Sequence, residues 1–216
     1  SLGSAETTLL KLTSAYCSFV NGGKLINPIL IDRVQDSEGN TIFNNEKRKC
    51  LNCNEISILS DNYPEIEDNF PQIFSSETAY QITSILEGAI QNGTGKKLKD
   101  LNLDLAGKTG TTNKNTDTWF IGFTSKLAIG VYVGSDNPKP LGKYETGAKT
   151  ALPVFKNFVK NAVKKKDARP FKVADNISMM VIDHLTGKKA MIQSKKTIIE
   201  SYKSTKKKTI LNLDIS

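Results

Sequence analysis

No run of about 18 apolar residues, the length a membrane-spanning helix needs, occurs in this chain. The longest apolar stretch, Leu127 to Val133, is far shorter. Histidine is almost missing: His184 is the only one, and Cys17, Cys50 and Cys53 are the only cysteines. A structural zinc site needs four such ligands together. Cys50-x-x-Cys53 supplies two and His184 is remote, so no metal is implied. Lys47, Arg48 and Lys49 would lower a neighbouring thiol pKa, which leaves redox chemistry open for the pair. No thioredoxin-like βαβ pattern surrounds it, and a local disulfide in an oxidising compartment is the preferred reading. Cys17 falls on an apolar helix face, where it acts as a small hydrophobe. No internal repeat is visible. No secretory signal is legible, and the chain opens on Ser1 rather than Met. Ser1-Leu2-Gly3-Ser4 is read either as a tag remnant or as the interior of a longer chain.

At 216 residues and 38% hydrophobic content the chain can bury a core while carrying some irregular sequence. Its net charge of +8 is unevenly placed. Residues 1–155 hold 15 basic and 17 acidic side chains, whereas residues 156–216 hold 15 basic and 5 acidic. A lysine-rich tail of this kind is either a solvated face or a contact for anionic polymers or lipid head groups. Arginine and interleaved aromatics are scarce in it, which argues against nucleic acid.

Helical spacing of Leu9, Leu12, Tyr16, Phe19 and Val20 predicts a helix over 7–20, stopped by Asn21-Gly22-Gly23. Ile29 to Val34 and Thr41-Ile42-Phe43, joined by a polar turn, predict a hairpin. Residues 44–72 read as a loop insertion containing Pro64 and Pro71. Ser75 or Ser76 caps a second helix with Ala79, Ile82, Leu86, Ala89 and Ile90 on its buried face, ending at Gly93-Thr94-Gly95. Strands are expected near 103–111, 118–124 and 127–134, the last two forming a hairpin across Ser125-Lys126. Pro153 opens a third helix that buries Phe155, Phe158, Val159 and Ala162. Beyond Asp167, Ile177 to Ile182 and a Leu185-Thr186-Gly187 turn predict a small β appendage. The pattern is α+β: an antiparallel sheet with packed helices over residues 1–165, and a basic β-rich extension over 166–216.

Within this frame Ala106-Gly107-Lys108-Thr109-Gly110-Thr111-Thr112 stands out. On a strand, Lys108 and Gly110 face one way and Thr109 and Thr111 the other. Gly110 lets another backbone approach closely. An ammonium, several hydroxyls and an open backbone edge suit a carboxylate. Gly107-Lys108-Thr109 also ends like a phosphate-binding loop, but that motif needs glycine where Asn102 stands and a helix after it, whereas Trp119-Phe120 follows in a strand. An ordinary buried strand with one lysine is the remaining alternative, and its neighbourhood weighs against it.

The whole pattern resembles the C-terminal half of the transpeptidase domain of class A penicillin-binding proteins. Leu2-Gly3-Ser4, Ala15-Tyr16 and Asn21-Gly22-Gly23 are similar to that family's helix before a variable loop. Ala79-Tyr80, Leu86 and Gly93-Thr94-Gly95 are similar to the helix before its active strand. The Ala106–Thr112 block, Asp117, Trp119-Phe120, Gly122 and Thr124 resemble that strand and its partner. Asp136-Asn137-Pro138-Lys139-Pro140-Leu141-Gly142 and Glu145-Thr146-Gly147 are similar to the next loop. Fainter likeness continues at Arg169-Pro170-Phe171 and Ile199-Glu200-Ser201-Tyr202.

The resemblance implies a serine acyl-transferase that cross-links peptidoglycan stem peptides ending in D-Ala-D-Ala and is acylated by β-lactams. It implies that Lys108 lowers the electrostatic cost of a nearby negative group and relays a proton. Thr109 and Thr111, with Gly110 and Thr112, would hold the substrate carboxylate, and the Thr111 N–H would form half an oxyanion hole. Asp117 and Trp119 would support the site. No cofactor is implied. The parent protein is expected at the periplasmic side of a bacterial inner membrane among the cell-wall synthesis machinery. It is expected to carry a glycosyltransferase domain and a membrane anchor N-terminal to this chain. The family's nucleophile lies in Ser-x-x-Lys, expected upstream of Ser1, so the chain alone is expected to be inactive. Ser204-Thr205-Lys206-Lys207 and Ser135-Asp136-Asn137 match the family's short motifs by coincidence of spacing. A β-lactamase-type hydrolase and a non-catalytic binder of anionic polymer are the competing readings.

Overall fold

The computed structural model describes residues 6–46, 48–51, 53, 65–137 and 139–204. Helix α1 (Leu9–Val20) starts where the Thr8 hydroxyl accepts the Lys11 N–H at 3.2 Å, satisfying one of the donors that a helix leaves open at its start. It stops at Gly22 and Gly23, both at positive φ. Gly23 donates to Ser18 O and accepts from Ile73 and Phe74. A Cβ there would meet the Phe74 carbonyl oxygen, so only glycine allows this crossing.

Strands β1 (Arg33–Gln35) and β2 (Thr41–Asn44) pair as an exposed hairpin. The expected first strand over Ile29–Val34 begins later than its apolar run, because Ile29, Leu30 and Ile31 find no partner strand among the described residues and stay exposed. Of the expected insertion over 44–72, residues 54–64, Pro64 among them, lie outside the described residues. Its far side is tied back by the Lys24–Asp68 ion pair and by Gln72, whose amide donates to Gly22 O at 2.7 Å. Cys50 and Cys53 are joined by a disulfide, with Cα atoms 5.6 Å apart.

Helix α2 (Ser76–Gln91) is capped by Ser75, whose hydroxyl accepts the Thr78 N–H. A 3-10 turn (Lys96–Leu101) leads into β3 (Ala106–Thr111), β4 (Thr118–Phe123) and β5 (Ala128–Val133). These form one antiparallel sheet in the order β3-β4-β5. The expected strand start near Leu103 moves to Ala106, because Asn102 takes the left-handed conformation that ends the 3-10 turn. Helix α3 (Ala151–Ala162) follows, then β6 (Ile177–Asp183) and β7 (Thr197–Lys203), which pair with each other.

Two apolar layers cover the sheet. On one face Ala106 and Phe123 meet Leu86 of α2 and Tyr16, Phe19 and Val20 of α1. On the other, Phe120 meets Leu152, Phe155 and Val159 of α3 and Ile90 of α2. Helix α2 therefore runs along β3 and reaches both layers. On α3 the buried stripe is Leu152, Phe155 and Val159, at i, i+3 and i+7. Phe158 and Ala162, expected with it, are exposed because both lie to one side of that stripe. The β6–β7 hairpin is fastened to α2: Gln81 donates to Ser201 O at 3.0 Å and the Lys203 ammonium to Thr78 Oγ1 at 2.8 Å. Among the described residues, no helix is long and apolar enough to cross a membrane.

Candidate active site

The site is assembled on β3, which lies at the edge of its sheet. Its register sets Lys108 opposite Ile121, Thr109 opposite Phe120, Gly110 opposite Trp119 and Thr111 opposite Thr118. Alternation sends Lys108 toward the α1 layer and Thr109 toward the α3 layer. The lysine chain nevertheless bends over the strand, so that its exposed ammonium donates to the Thr109 carbonyl at 2.9 Å and lies 3.5 Å from Thr109 Oγ1. Cation and hydroxyl thus meet at one point of the strand.

Two elements distant in sequence fix this strand. After α2, the hydroxyl of Thr94 bonds that of Thr109 at 3.0 Å. From the loop before α3, the Gly147 N–H donates to Thr111 Oγ1 at 3.1 Å. Because Thr111 Oγ1 accepts that bond, its own proton is left to donate to a ligand. Gly147 is buried against bare backbone: a Cβ there would meet Trp119 O at 2.6 Å and Gly110 O at 2.7 Å. We predict that Gly147→Ala pushes the loop off β3 and destabilises the protein by about 1–3 kcal/mol, as overpacking does. Urea unfolding measures this, and an unchanged midpoint would show that the loop shifts without strain.

Thr112 shapes the turn out of β3. Its hydroxyl accepts the N–H groups of Thr116 and Asp117, both at 3.1 Å. Asp117 then receives the Tyr132 phenol at 2.7 Å and the Thr116 hydroxyl at 3.1 Å. That bond to the Asp117 carboxylate holds the Tyr132 pKa above its usual value. Tyr132 in turn lies against Trp119, ring centroids 4.7 Å apart, and Trp119 stands opposite Gly110. Asp117 and Trp119 therefore stand next to the strand as parts of one polar and aromatic buttress.

Of the residues singled out from sequence, Lys108 to Thr111 lie at the end of β3 and Thr112 opens the turn after it, with Asp117 and Trp119 beside them. Cys50 and Cys53 are placed elsewhere, on the segment tied to Ile66. Ser135-Asp136-Asn137 lies in the loop after β5, and of Ser204-Thr205-Lys206-Lys207 only Ser204 is among the described residues. Read from sequence, the clamps have no individual role: Thr94 and Gly147 act across 15 and 36 residues, and they are signalled only by the family-like motifs Gly93-Thr94-Gly95 and Glu145-Thr146-Gly147. A cleft of about 390 Å³ occurs elsewhere, between the end of α1, the start of α2 and residues 171–175, and is lined by none of residues 108–112. The Lys108 ammonium and the Thr109 and Thr111 hydroxyls lie on the strand edge and not in that cleft, which has its own cations in Lys24 and Lys172.

A Lys-Thr-Gly edge strand on an antiparallel sheet between helices is one of the signatures of the penicillin-recognising class. Residues 1–160 match the family described as the penicillin binding protein transpeptidase domain. The chain belongs to that family. It is 43% identical over 216 residues to penicillin-binding protein 1A of Rickettsia conorii, covering 99% of this chain and 27% of that protein. It is 44% identical over 204 residues to penicillin-binding protein 1A of Rickettsia prowazekii, covering 94% and 26%. Among solved structures, penicillin-binding protein 1A from Haemophilus influenzae superposes with a TM-score of 0.75 at 33% identity, covering 92% of this chain and 32% of that one. The chain spans about a quarter of the length of the curated relatives it matches.

Proposed function

We propose that this chain is the C-terminal part of a peptidoglycan D,D-transpeptidase and supplies the substrate-holding wall of its active site. The observation that carries this reading is the β3 edge, where the Lys108 ammonium, the Thr109 and Thr111 hydroxyls and the bare Gly110 backbone sit side by side. In the reaction, a serine from residues outside this chain attacks the carbonyl between the last two D-alanines. The C–N bond breaks, D-alanine leaves with the serine's proton, and an acyl-enzyme ester remains. An amine of a neighbouring stem attacks the ester, forms the cross-link and returns the proton to the serine.

On this reading Thr109 and Thr111, with Gly110 and Thr112 around them, hold the terminal carboxylate. Lys108 offsets its charge and relays the proton. The Thr111 N–H stabilises the developing oxyanion, a kind of contribution worth roughly 3–4 kcal/mol in hydrolases. Asp117 and Trp119 keep the strand in place. β-Lactams acylate the same serine. The reading also places the whole protein at the periplasmic side of the inner membrane with the cell-wall synthesis machinery. Its anchor and glycosyltransferase are assigned to residues that this chain does not include.

Labelling the whole protein with fluorescent penicillin, followed by digestion and mass spectrometry, tests the proposal. The expected adduct is one serine outside the 216 residues. No adduct, an adduct on a serine within them, or hydrolysis that clears the label within seconds would overturn it.

A further inference from the structure

The reaction at β3 makes no use of residues 184–196, the connection between β6 and β7. They include four lysines and no acidic side chain. Lys188, Lys189, Lys195 and Lys196 are all exposed and form no ion pair among the described residues. In the same connection Leu185 is 84% exposed, Met191 66% exposed and Ile192 fully exposed. Leaving such aliphatic side chains in water forgoes the stabilisation that burial gives them. The β1–β2 hairpin also exposes Val34, Ile42 and Phe43, but residues 32–46 carry Asp32, Asp36, Glu38 and Glu46 against Arg33 alone. There the apolar surface comes with negative charge; at the β6–β7 end it comes with positive charge.

The backbone sets these side chains in a fixed frame. Strand β6 ends at Asp183, whose carboxylate accepts the Leu185 N–H at 3.0 Å and the Thr186 N–H at 2.9 Å, so the nearest acid is engaged by the turn. On one edge of β6 the chain returns: the Asp183 N–H donates to Lys188 O at 2.8 Å and the Ala190 N–H to Val181 O at 2.9 Å. On the other edge, β7 begins just beyond Lys196, whose carbonyl accepts the His184 N–H at 2.9 Å. Lys188 and Lys189 therefore flank the end of β6 on one side and Lys195 and Lys196 on the other, about 10 Å apart at two strand spacings. The Leu185 turn lies between them. A second turn joins the two sides: the Met191 N–H donates to Ser194 Oγ at 3.1 Å and the Ser194 N–H to Met191 O at 3.0 Å. Gln81 and Lys203 fasten the hairpin to α2, so this end is presented in a set position.

A partner for this end has to offer negative charge at its surface and an apolar medium behind it. A dissolved acidic polymer satisfies only the lysines, and a second copy of this end would set lysine against lysine. A bilayer with anionic head groups satisfies both, because lysine ammonium groups stay at the phosphates while aliphatic side chains enter the acyl region. We propose that residues 184–196 dock on the surface of an anionic phospholipid bilayer, with Leu185, Met191 and Ile192 inserted and the four lysines on head-group phosphates.

The test reads this end directly. The whole protein is held in nanodiscs of phosphatidylcholine, with its other free cysteines replaced by serine and an environment-sensitive dye at Ile192→Cys, and protein-free vesicles are added. Vesicles containing about one-third phosphatidylglycerol are expected to shift the dye's emission to the blue at about tenfold lower lipid than vesicles of phosphatidylcholine alone. Spin-labelled lipid then quenches the dye. The shift weakens as salt rises and disappears when the four lysines are changed to glutamine. Leu185→Ser/Met191→Ser is expected to need about tenfold more lipid. The same dye at Ile42→Cys stays unmoved. Each changed side chain is exposed, so the urea midpoint is kept, which separates lost docking from lost fold. No shift with the anionic vesicles, an equal shift with neutral ones, or a shift unchanged in the glutamine or serine variant would overturn the proposal. The same shift with soluble polyglutamate would also overturn it, by assigning the lysines to an acidic polymer.

Discussion

Lys108→Ala in the whole protein lowers the rate of acylation by fluorescent penicillin by about a thousandfold, the scale at which a preorganised charge or donor acts on a developing anion. The argument is local. The Lys108 ammonium is held beside the Thr109 carbonyl and near its hydroxyl, while the Thr109 hydroxyl is shared with Thr94. Removing the ammonium leaves the hydroxyls in place but takes away the charge that, in the proposed function, offsets the substrate carboxylate. Because Lys108 is exposed, its removal is expected to change folding stability by no more than about 0.5 kcal/mol. Loss of labelling with an unchanged unfolding midpoint is therefore the expected pair of results. Lys108→Arg keeps the charge, but its flat guanidinium cannot replace a compact ammonium in the same contact, so recovery is partial. Normal labelling of the alanine variant would remove Lys108 from the mechanism.

Phe155→Ala is expected to be the most destabilising single truncation, at about 3–5 kcal/mol. Phe155 is fully buried, with its ring centroid 4.6 Å from that of Phe120. Its ring also rests on the bare backbone of Gly122, where a Cβ would come within 2.7 Å of it. Large side chain and missing side chain fit each other, so truncation opens a cavity that the rigid strand cannot close. Urea unfolding of the whole protein measures the loss, and a change below about 1 kcal/mol would mean that the layer repacks. The effect reaches the site, since Phe120 lies opposite Thr109 in the sheet register.

Local signals carried much of this molecule. Thr8 and Ser75 mark helix starts by chemistry that acts over three residues, and β4 and β5 follow from a short turn between two apolar runs. The placement of Lys108 to Thr111 on a strand was legible because a second apolar strand follows a short turn after them. What escaped were contacts whose partners are far apart in the chain. Hydrophobicity drew Phe158 into the core, but only the facing sheet decides which side of α3 is covered. Ile29 to Ile31 read as a strand from their side chains, yet a strand exists only where a neighbour accepts its backbone bonds. Thr94 and Gly147 stand in family-like motifs, but the contacts they make are not legible, because a hydroxyl in a turn and a glycine in a loop have many uses.

Helix α2 contributes Leu86 to one face of the sheet and Ile90 to the other. Hydrogen exchange would see that arrangement as a single cooperative unit: neither layer can open while the helix stays docked on both. The β1–β2 hairpin, exposed at every position, stands outside it and exchanges on its own schedule. The Lys-Thr-Gly strand, packed on α2 through Ala106, is thus expected to exchange with that unit, although the side chains of Lys108 and Thr111 stand in solvent.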